Sequence, residues 1–357
     1  MVAESITELI NNALENKVFP GGVLIASKRG DIVVGEAFGR TDYGSGKSVR
    51  LDTVYDLASL TKPLATSLAV IHLIDRAELA PGRQVGELLP AFRETEKAAI
   101  TVENLLAHRS GLPDYRPYFR ELCGQTAVER DAELVEKLLA EPLVSPAGGN
   151  TVYSDPGFML LRRMVEEAAG SKLDKLVEGE IYRAMGIGDL FFLRAESLRA
   201  GHEFAPTEIC PWRKRLVCAE VHDENAFAVG GVDGHAGLFG TAAAVHTLLW
   251  DLACAYSGNA SSKVLSGGGV RAFLNFNPGG ERALGFDRPS REGSASGRYF
   301  SDNSVGHLGF TGTSFWMDLD RQIIIVLLTN RVHPTRENQK IKIFRPQIHD
   351  AVMETVL

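Results

Sequence analysis

The sequence is short of cysteine, of excess positive charge and of long apolar runs. Four cysteines, Cys123, Cys210, Cys218 and Cys254, are scattered over 357 residues with no C-x-x-C spacing. That pattern suggests neither a disulfide framework nor a zinc site, and free thiols are expected. Lysine and arginine number 38 against 45 acidic residues, a net charge of −7, and the one compact basic run is Arg213-Lys214-Arg215. Nucleic acid and anionic membrane are therefore not expected as partners. No segment has the roughly 20 apolar residues that a membrane span requires. The first residues, Met-Val-Ala-Glu-Ser-Ile-Thr-Glu-Leu-Ile, are acidic and amphipathic, without the basic start and apolar core of a secretory signal. A cytoplasmic location is the expectation. No internal repeat is found.

What is present is an ordinary globular composition, 45% hydrophobic and 23% charged, in a chain long enough for two domains. Ile6, Leu9, Ile10, Ala13 and Leu14 share one face of a helix predicted over 4–17. Val23–Ser27 and Asp31–Phe38 flank a Lys28-Arg29-Gly30 turn and read as a hairpin. Helices are predicted over 127–140 and 157–169, a short one capped at Thr101 precedes Arg109-Ser110-Gly111, and another follows Gly230–Gly240 up to about Tyr256. Strand character returns at Ser304–Met317 and Ile323–Asn330, and a last helix is expected from Pro346 to Val356. Gly293–Gly297 reads as a mobile loop. Strands at both ends with helices between predict an α+β fold: an antiparallel sheet from the two terminal segments, flanked by helices, with a helical insertion. The expected division is residues 1–58 with 235–357 as an α/β domain and 59–234 as a mostly helical inserted domain, with the active site at their junction.

The chemistry centres on Ser59-Leu60-Thr61-Lys62, the one S-x-x-K in the sequence. Residues three apart on a helix face the same way, so the hydroxyl and the amine can meet. Pro63 fixes where the following apolar helix begins, which puts Ser59 at or just before its first turn. Free N–H groups there favour an oxyanion. A serine nucleophile needs a base, and no G-x-S-x-G elbow with a histidine partner is present. Lys62 can serve if its surroundings populate the neutral amine. Alone, the motif is equally the N-cap of a helix.

Further motifs give the serine its context. Tyr153-Ser154-Asp155 follows a Pro/Gly-rich loop, and His307-Leu308-Gly309 lies in the strand-like C-terminal part. With Ser59-x-x-Lys62, and with Leu105–Pro113 and Gly234–Phe239, they resemble in order and spacing the motifs of the serine β-lactamase and penicillin-binding-protein superfamily. The likeness is to its class C-like branch, which includes family VIII esterases and D-aminopeptidases, and it spans nearly the whole chain. The resemblance implies a β-lactamase/transpeptidase-like fold and an acyl-enzyme on Ser59. It implies proton transfer by Lys62 and Tyr153, and an oxyanion hole from the N–H groups of Ser59 and Phe310. His307, Gly309 and Asp155 would border the substrate.

Two departures bear on the substrate. Asp155 stands where an amide would donate to an acyl-amide substrate, and an ionised carboxylate cannot donate. It either points away or orients Lys62, and beside Lys62 it would keep the amine protonated. His307 replaces a lysine that would hold a substrate carboxylate, and Leu308 replaces a hydroxyl. The expectation is therefore a serine hydrolase of a small ester or amide, with esterase ranked ahead of β-lactamase or D-amino-acid peptidase. A non-catalytic penicillin-binding sensor is the rival from another class. No cofactor and no metal are expected; His222-Asp223-Glu224 is read as a loop near the cleft mouth, and His108 and His235 as structural. The oligomeric state is left open.

Overall fold

The computed structural model describes residues 4–44, 46–194, 201–258, 264–276 and 282–357. Its strands are β1 (Gly21–Lys28), β2 (Asp31–Gly39), β3 (Tyr55–Asp56), β4 (Leu190–Phe192), β5 (Ile209–Cys210), β6 (Arg215–Leu216), β7 (Leu238–Gly240), β8 (Ser304–Leu308), β9 (Ser314–Asp318) and β10 (Ile323–Thr329). Five of them form an antiparallel sheet in the order β2-β1-β10-β9-β8. The first and last parts of the sequence thus meet at its centre, with Val23 opposite Leu328 and Ile25 opposite Val326.

Side-chain direction alternates along a strand, and here both faces are buried. Val23, Ile25, Ile324, Val326 and Leu328 enter one core with the helical part of the chain, including Leu68, Leu105, Phe158 and Leu161. Their neighbours Leu24, Ala26, Ile323, Ile325 and Leu327 enter a second core. That core is closed by Ile6 and Ile10 of the helix Glu4–Glu15 and by Phe344, Ile348 and Val352 of the helix Ile341–Val356. The fold is a mixed one, with antiparallel sheets flanked by helices, as expected. A smaller sheet, β3-β7-β4, holds the backbone just before Ser59 to the segment after Gly234.

Two predicted boundaries change. Ser304–Met317 is not one strand: β8 ends at Leu308, and a turn through Gly312 at φ +117° brings the chain back as β9. A positive φ of that size suits glycine alone. The last helix begins at Ile341, with Pro346 inside it.

Candidate active site

Ser59 sits in a single 3-10 turn, Ala58–Leu60, ahead of a π-helical turn Lys62–Thr66 that runs into the helix Ser67–Asp75. Local hydrogen bonds impose this geometry. The buried Asp56 carboxylate accepts the N–H of Ala58 at 2.8 Å and that of His222 at 2.6 Å. Thr61 Oγ1 donates to the Ala58 carbonyl at 2.6 Å. Between these ties Ala58 is held at φ +48°, a left-handed conformation unfavourable to a residue with a Cβ. Strain of that kind persists only where the surroundings over-determine it.

Lys62 is fully buried and its Nζ has three partners. It donates to Asp155 Oδ1 at 2.6 Å, to Ser59 Oγ at 3.2 Å and to the His235 carbonyl at 3.3 Å. An ammonium has three N–H donors, and all three are used. Burial pushes the amine's pKa down, but Asp155, with help from Tyr153, outweighs it and holds the pKa above the ordinary lysine value. Asp155 therefore faces Lys62 and fixes it as a cation. The Tyr153 phenol interacts with Ser59 and Lys62, and the Lys62 ammonium lies 4.7 Å from its ring centroid. Burial raises the phenol pKa, with Lys62 opposing.

The middle residue of Tyr153-Ser154-Asp155 anchors this motif. The Ser154 hydroxyl donates to the Pro113 carbonyl at 2.6 Å and caps the helix Asp155–Ala169 by accepting the Gly157 N–H. Its own N–H donates to His108 Nδ1 at 3.0 Å, and the His108 ring packs on Tyr153 with centroids 4.5 Å apart. With Ser154 pinned, its neighbours are delivered to the Lys62 amine.

The turn after β8 is tied to the segment that precedes the serine. Thr311 and Thr313 hydroxyls donate to the carbonyls of Asp56 and Leu57 at 2.7 and 3.1 Å. A Cβ on Gly309 would lie 2.0 Å from Thr313 Oγ1 and 2.7 Å from the Leu57 carbonyl oxygen, so only glycine fits. The resulting cleft, about 310 Å³, is lined by Ser59, Tyr153, His307, Gly309, Phe310 and Arg345 among others. The structure thus brings the three motifs to one cleft, and Asp155 reaches it through Lys62. Phe310 exposes its ring, and its carbonyl accepts from Arg331 Nε and Nη2 at 2.9 and 2.6 Å. His307 Nδ1 donates to the Leu308 carbonyl at 3.0 Å, which leaves Nε2 without a proton in the neutral ring. Burial pushes its pKa down to about 4; Asp287 opposes this, and Lys62 and Arg282 add to it. His307 is therefore uncharged at neutral pH.

Arg282 and Asp287 are site residues that carried no motif. Arg282 is ion-paired with Asp287, and its guanidinium stands 5.1 Å from the Tyr153 ring centroid. The only signal they offered was a charged pair five apart in a glycine-containing segment.

His222-Asp223-Glu224 is partly a helix start, with Asp223 capping Glu224–Ala228. His235 Nε2 meets Asp223 Oδ1 at 2.9 Å, and its Nδ1 lies 3.7 Å from Asp233. Burial alone would lower the His235 pKa, but the two carboxylates raise it to about 10. Glu208, Cys210 and Glu224 place ligand-type atoms within 4.8 Å of one another. Arg336 is paired with both of those carboxylates, so the donor set is already matched to a guanidinium rather than a metal.

Comparison with known proteins identifies the family and the fold. The family model described as Beta-lactamase matches residues 6–349. The N-acetylmuramyl-L-alanine amidase of Bacillus subtilis (strain 168) is 31% identical, over 88% of this chain and 78% of that protein. The putative D-alanyl-D-alanine carboxypeptidase of Escherichia coli (strain K12) is 28% identical, over 90% of this chain and 81% of its own length. Among solved structures, EstCE1, a hydrolase with promiscuous acyltransferase activity, superposes with a TM-score of 0.75, covering 98% of both chains. Its identity is 21%, so that likeness is one of fold. These matches correct the cytoplasmic expectation: proteins of this kind are typically periplasmic or secreted. The first residues supplied the wrong clue because their pattern belongs to a helix packed on the sheet, which reports on folding and not on compartment.

Proposed function

The chain belongs to the beta-lactamase family, whose fold carries serine hydrolases of several kinds, and on that premise we propose that it hydrolyses a small ester or amide through an acyl-enzyme on Ser59. The observation that carries this reading is the contact of one buried ammonium, Lys62, with both Ser59 and Asp155. An ammonium has no lone pair, so Lys62 accepts the serine proton only by handing one of its own to the Asp155 carboxylate that it faces. In the forward step Ser59 Oγ bonds to the carbonyl carbon, its proton passes to Lys62, and a Lys62 proton passes to Asp155. The N–H groups of Ser59 and Phe310 receive the oxyanion. Tyr153 returns a proton to the leaving oxygen or nitrogen and is refilled from Lys62, which recovers its own proton from Asp155. Water repeats the sequence on the acyl-enzyme.

Ester substrates rank first. Asp155 is engaged by Lys62 and offers no amide donor, and His307 offers no positive charge to a β-lactam carboxylate. A D-amino-acid peptidase or amidase is the second reading, favoured by the names of the two curated relatives. Ser59→Ala is expected to abolish p-nitrophenyl ester hydrolysis and fluorophosphonate labelling; undiminished turnover removes Ser59 from the mechanism. Intact-mass analysis separates the sensor reading, which requires a persistent adduct without turnover. A nitrocefin rate above those of a short-chain ester panel reverses the substrate order.

A further inference from the structure

Beside the Ser59 cleft runs a second hollow of about 620 Å³, lined by Arg282, Arg288, Arg291, Ser294 and Trp316 among others. The two hollows share Asp287 and Leu308 in their walls, so they are neighbours with Leu308 between them. β8 is the last strand of the sheet, and on its outer side the Asp287 backbone exchanges hydrogen bonds with Gly306 at 2.8 and 2.9 Å, which fixes the Asp287 segment beside the hollow.

The lining is rich in donors and has little to receive them. Arg282 is matched by Asp287. Arg288 donates only to main-chain carbonyls, those of Leu274 and Asp302, and its Nε is buried without a partner. Arg291 is exposed, and among the described residues neither it nor Arg288 has a carboxylate within ion-pair distance. Trp316 is 2% exposed, and its indole N–H is likewise unpartnered. Buried donors are normally paired, and an unpaired one is costly. Two guanidiniums without a carboxylate partner, lining one hollow with an indole whose N–H is unpartnered, are complementary to an anion with several acceptor oxygens.

We propose that this second hollow binds a carboxylate of the substrate, carried beyond the bond that Ser59 attacks. The proposal rests on the Ser59 reading and extends it: the third-motif lysine is missing, and recognition of acid has moved to the far side of Leu308. The preferred substrate is then an ester or amide whose acyl part ends in a carboxylate, with the reacting carbonyl at Ser59 and the acid at Arg288 and Arg291.

The test compares p-nitrophenyl half-esters of glutaric, adipic and suberic acid with their methyl-capped counterparts. The full chain should favour at least one free acid by tenfold or more in kcat/KM, mainly through KM, with the advantage shrinking as salt rises. Arg291→Gln, at an exposed position, should bring that ratio down severalfold, and Arg291→Glu should bring it to one or below. Arg288→Lys, which keeps the charge but loses the fork, should fall between. Equal rates for acids and capped esters, or a preference indifferent to Arg291→Glu, overturns the proposal while leaving Ser59 in place. Calorimetric binding of free adipate to the Ser59→Ala protein gives a readout independent of turnover. Binding lost with Arg291→Glu supports the site, and no binding to either protein counts against it. Inorganic phosphate is the control, and equal affinity for phosphate and adipate overturns the carboxylate assignment.

Discussion

At Asp155, one oxygen atom decides what Lys62 can do. The carboxylate lies 2.6 Å from Nζ, keeps the amine charged and, in the proposed mechanism, supplies the base that the ammonium lacks. Asp155→Asn removes that base while preserving size. We expect kcat to fall by about 10²–10⁴-fold, the usual contribution of a positioned acid–base group. The pH dependence gives the sharper test. Without Asp155, burial pushes the Lys62 pKa down unopposed by that charge, so the neutral amine appears at lower pH than in the parent. Residual activity of the variant should therefore climb with pH where the parent is flat, and a flat residual profile argues against the relay. The departure at Asp155 was legible in the sequence as a misfit. Its contact was not, because that depends on Ser154 being pinned by Pro113 and His108, some forty residues away. Arg282 and Asp287 were illegible for a related reason: no spacing rule marks a pair whose importance comes from lying beside a distant tyrosine.

Short elements set the precision of the site. Ala58 precedes Ser59, the proposed nucleophile, at φ +48°, held between Asp56 and Thr61. The penalty for a left-handed alanine is on the order of 1 kcal/mol. Ala58→Gly relieves it, so thermal denaturation should show equal or slightly greater stability while kcat drops severalfold as the Ser59 turn loosens. A variant that loses stability instead would mean that the turn is not strained. Helices with a clear apolar face or a capping residue were readable from sequence, as over Ala127–Ala140 and at Thr101 before Val102–Leu106. The return between β8 and β9 was missed because Thr311 and Thr313 suit a strand, although Gly309 and Gly312 mark the break. Those two threonines turn their hydroxyls to Asp56 and Leu57, so what looked like strand-forming chemistry is the fastening of the cleft.

For the molecule as a whole, the larger core joins strands β1 and β10 to the helices that follow Ser59. Leu68 and Phe158 belong to the same contiguous cluster as Val23 and Val326, so neither the sheet nor the helical part has a separate interior on that side. Scanning calorimetry should give one unfolding transition, with equal van't Hoff and calorimetric enthalpies. Two resolved transitions would mean that the shared core is energetically divided. The architecture was legible because strand-like sequence clusters at the two ends of the chain. The compartment was not, since the first residues encode a packed helix and leave export unaddressed.

The alternating allegiance of β1 and β10 to two different cores has a consequence for how such a chain can vary over evolutionary time. Adding or deleting one residue inside β10 would send Ile324, Val326 and Leu328 into the space shaped for Ile323, Ile325 and Leu327, and the reverse. Both interiors would fail at once, with no solvent-facing side to absorb the error. Changes of length must then accumulate in the connecting loops, whereas the central strands should keep a fixed residue count across descendants of this sequence even where every side chain has been replaced.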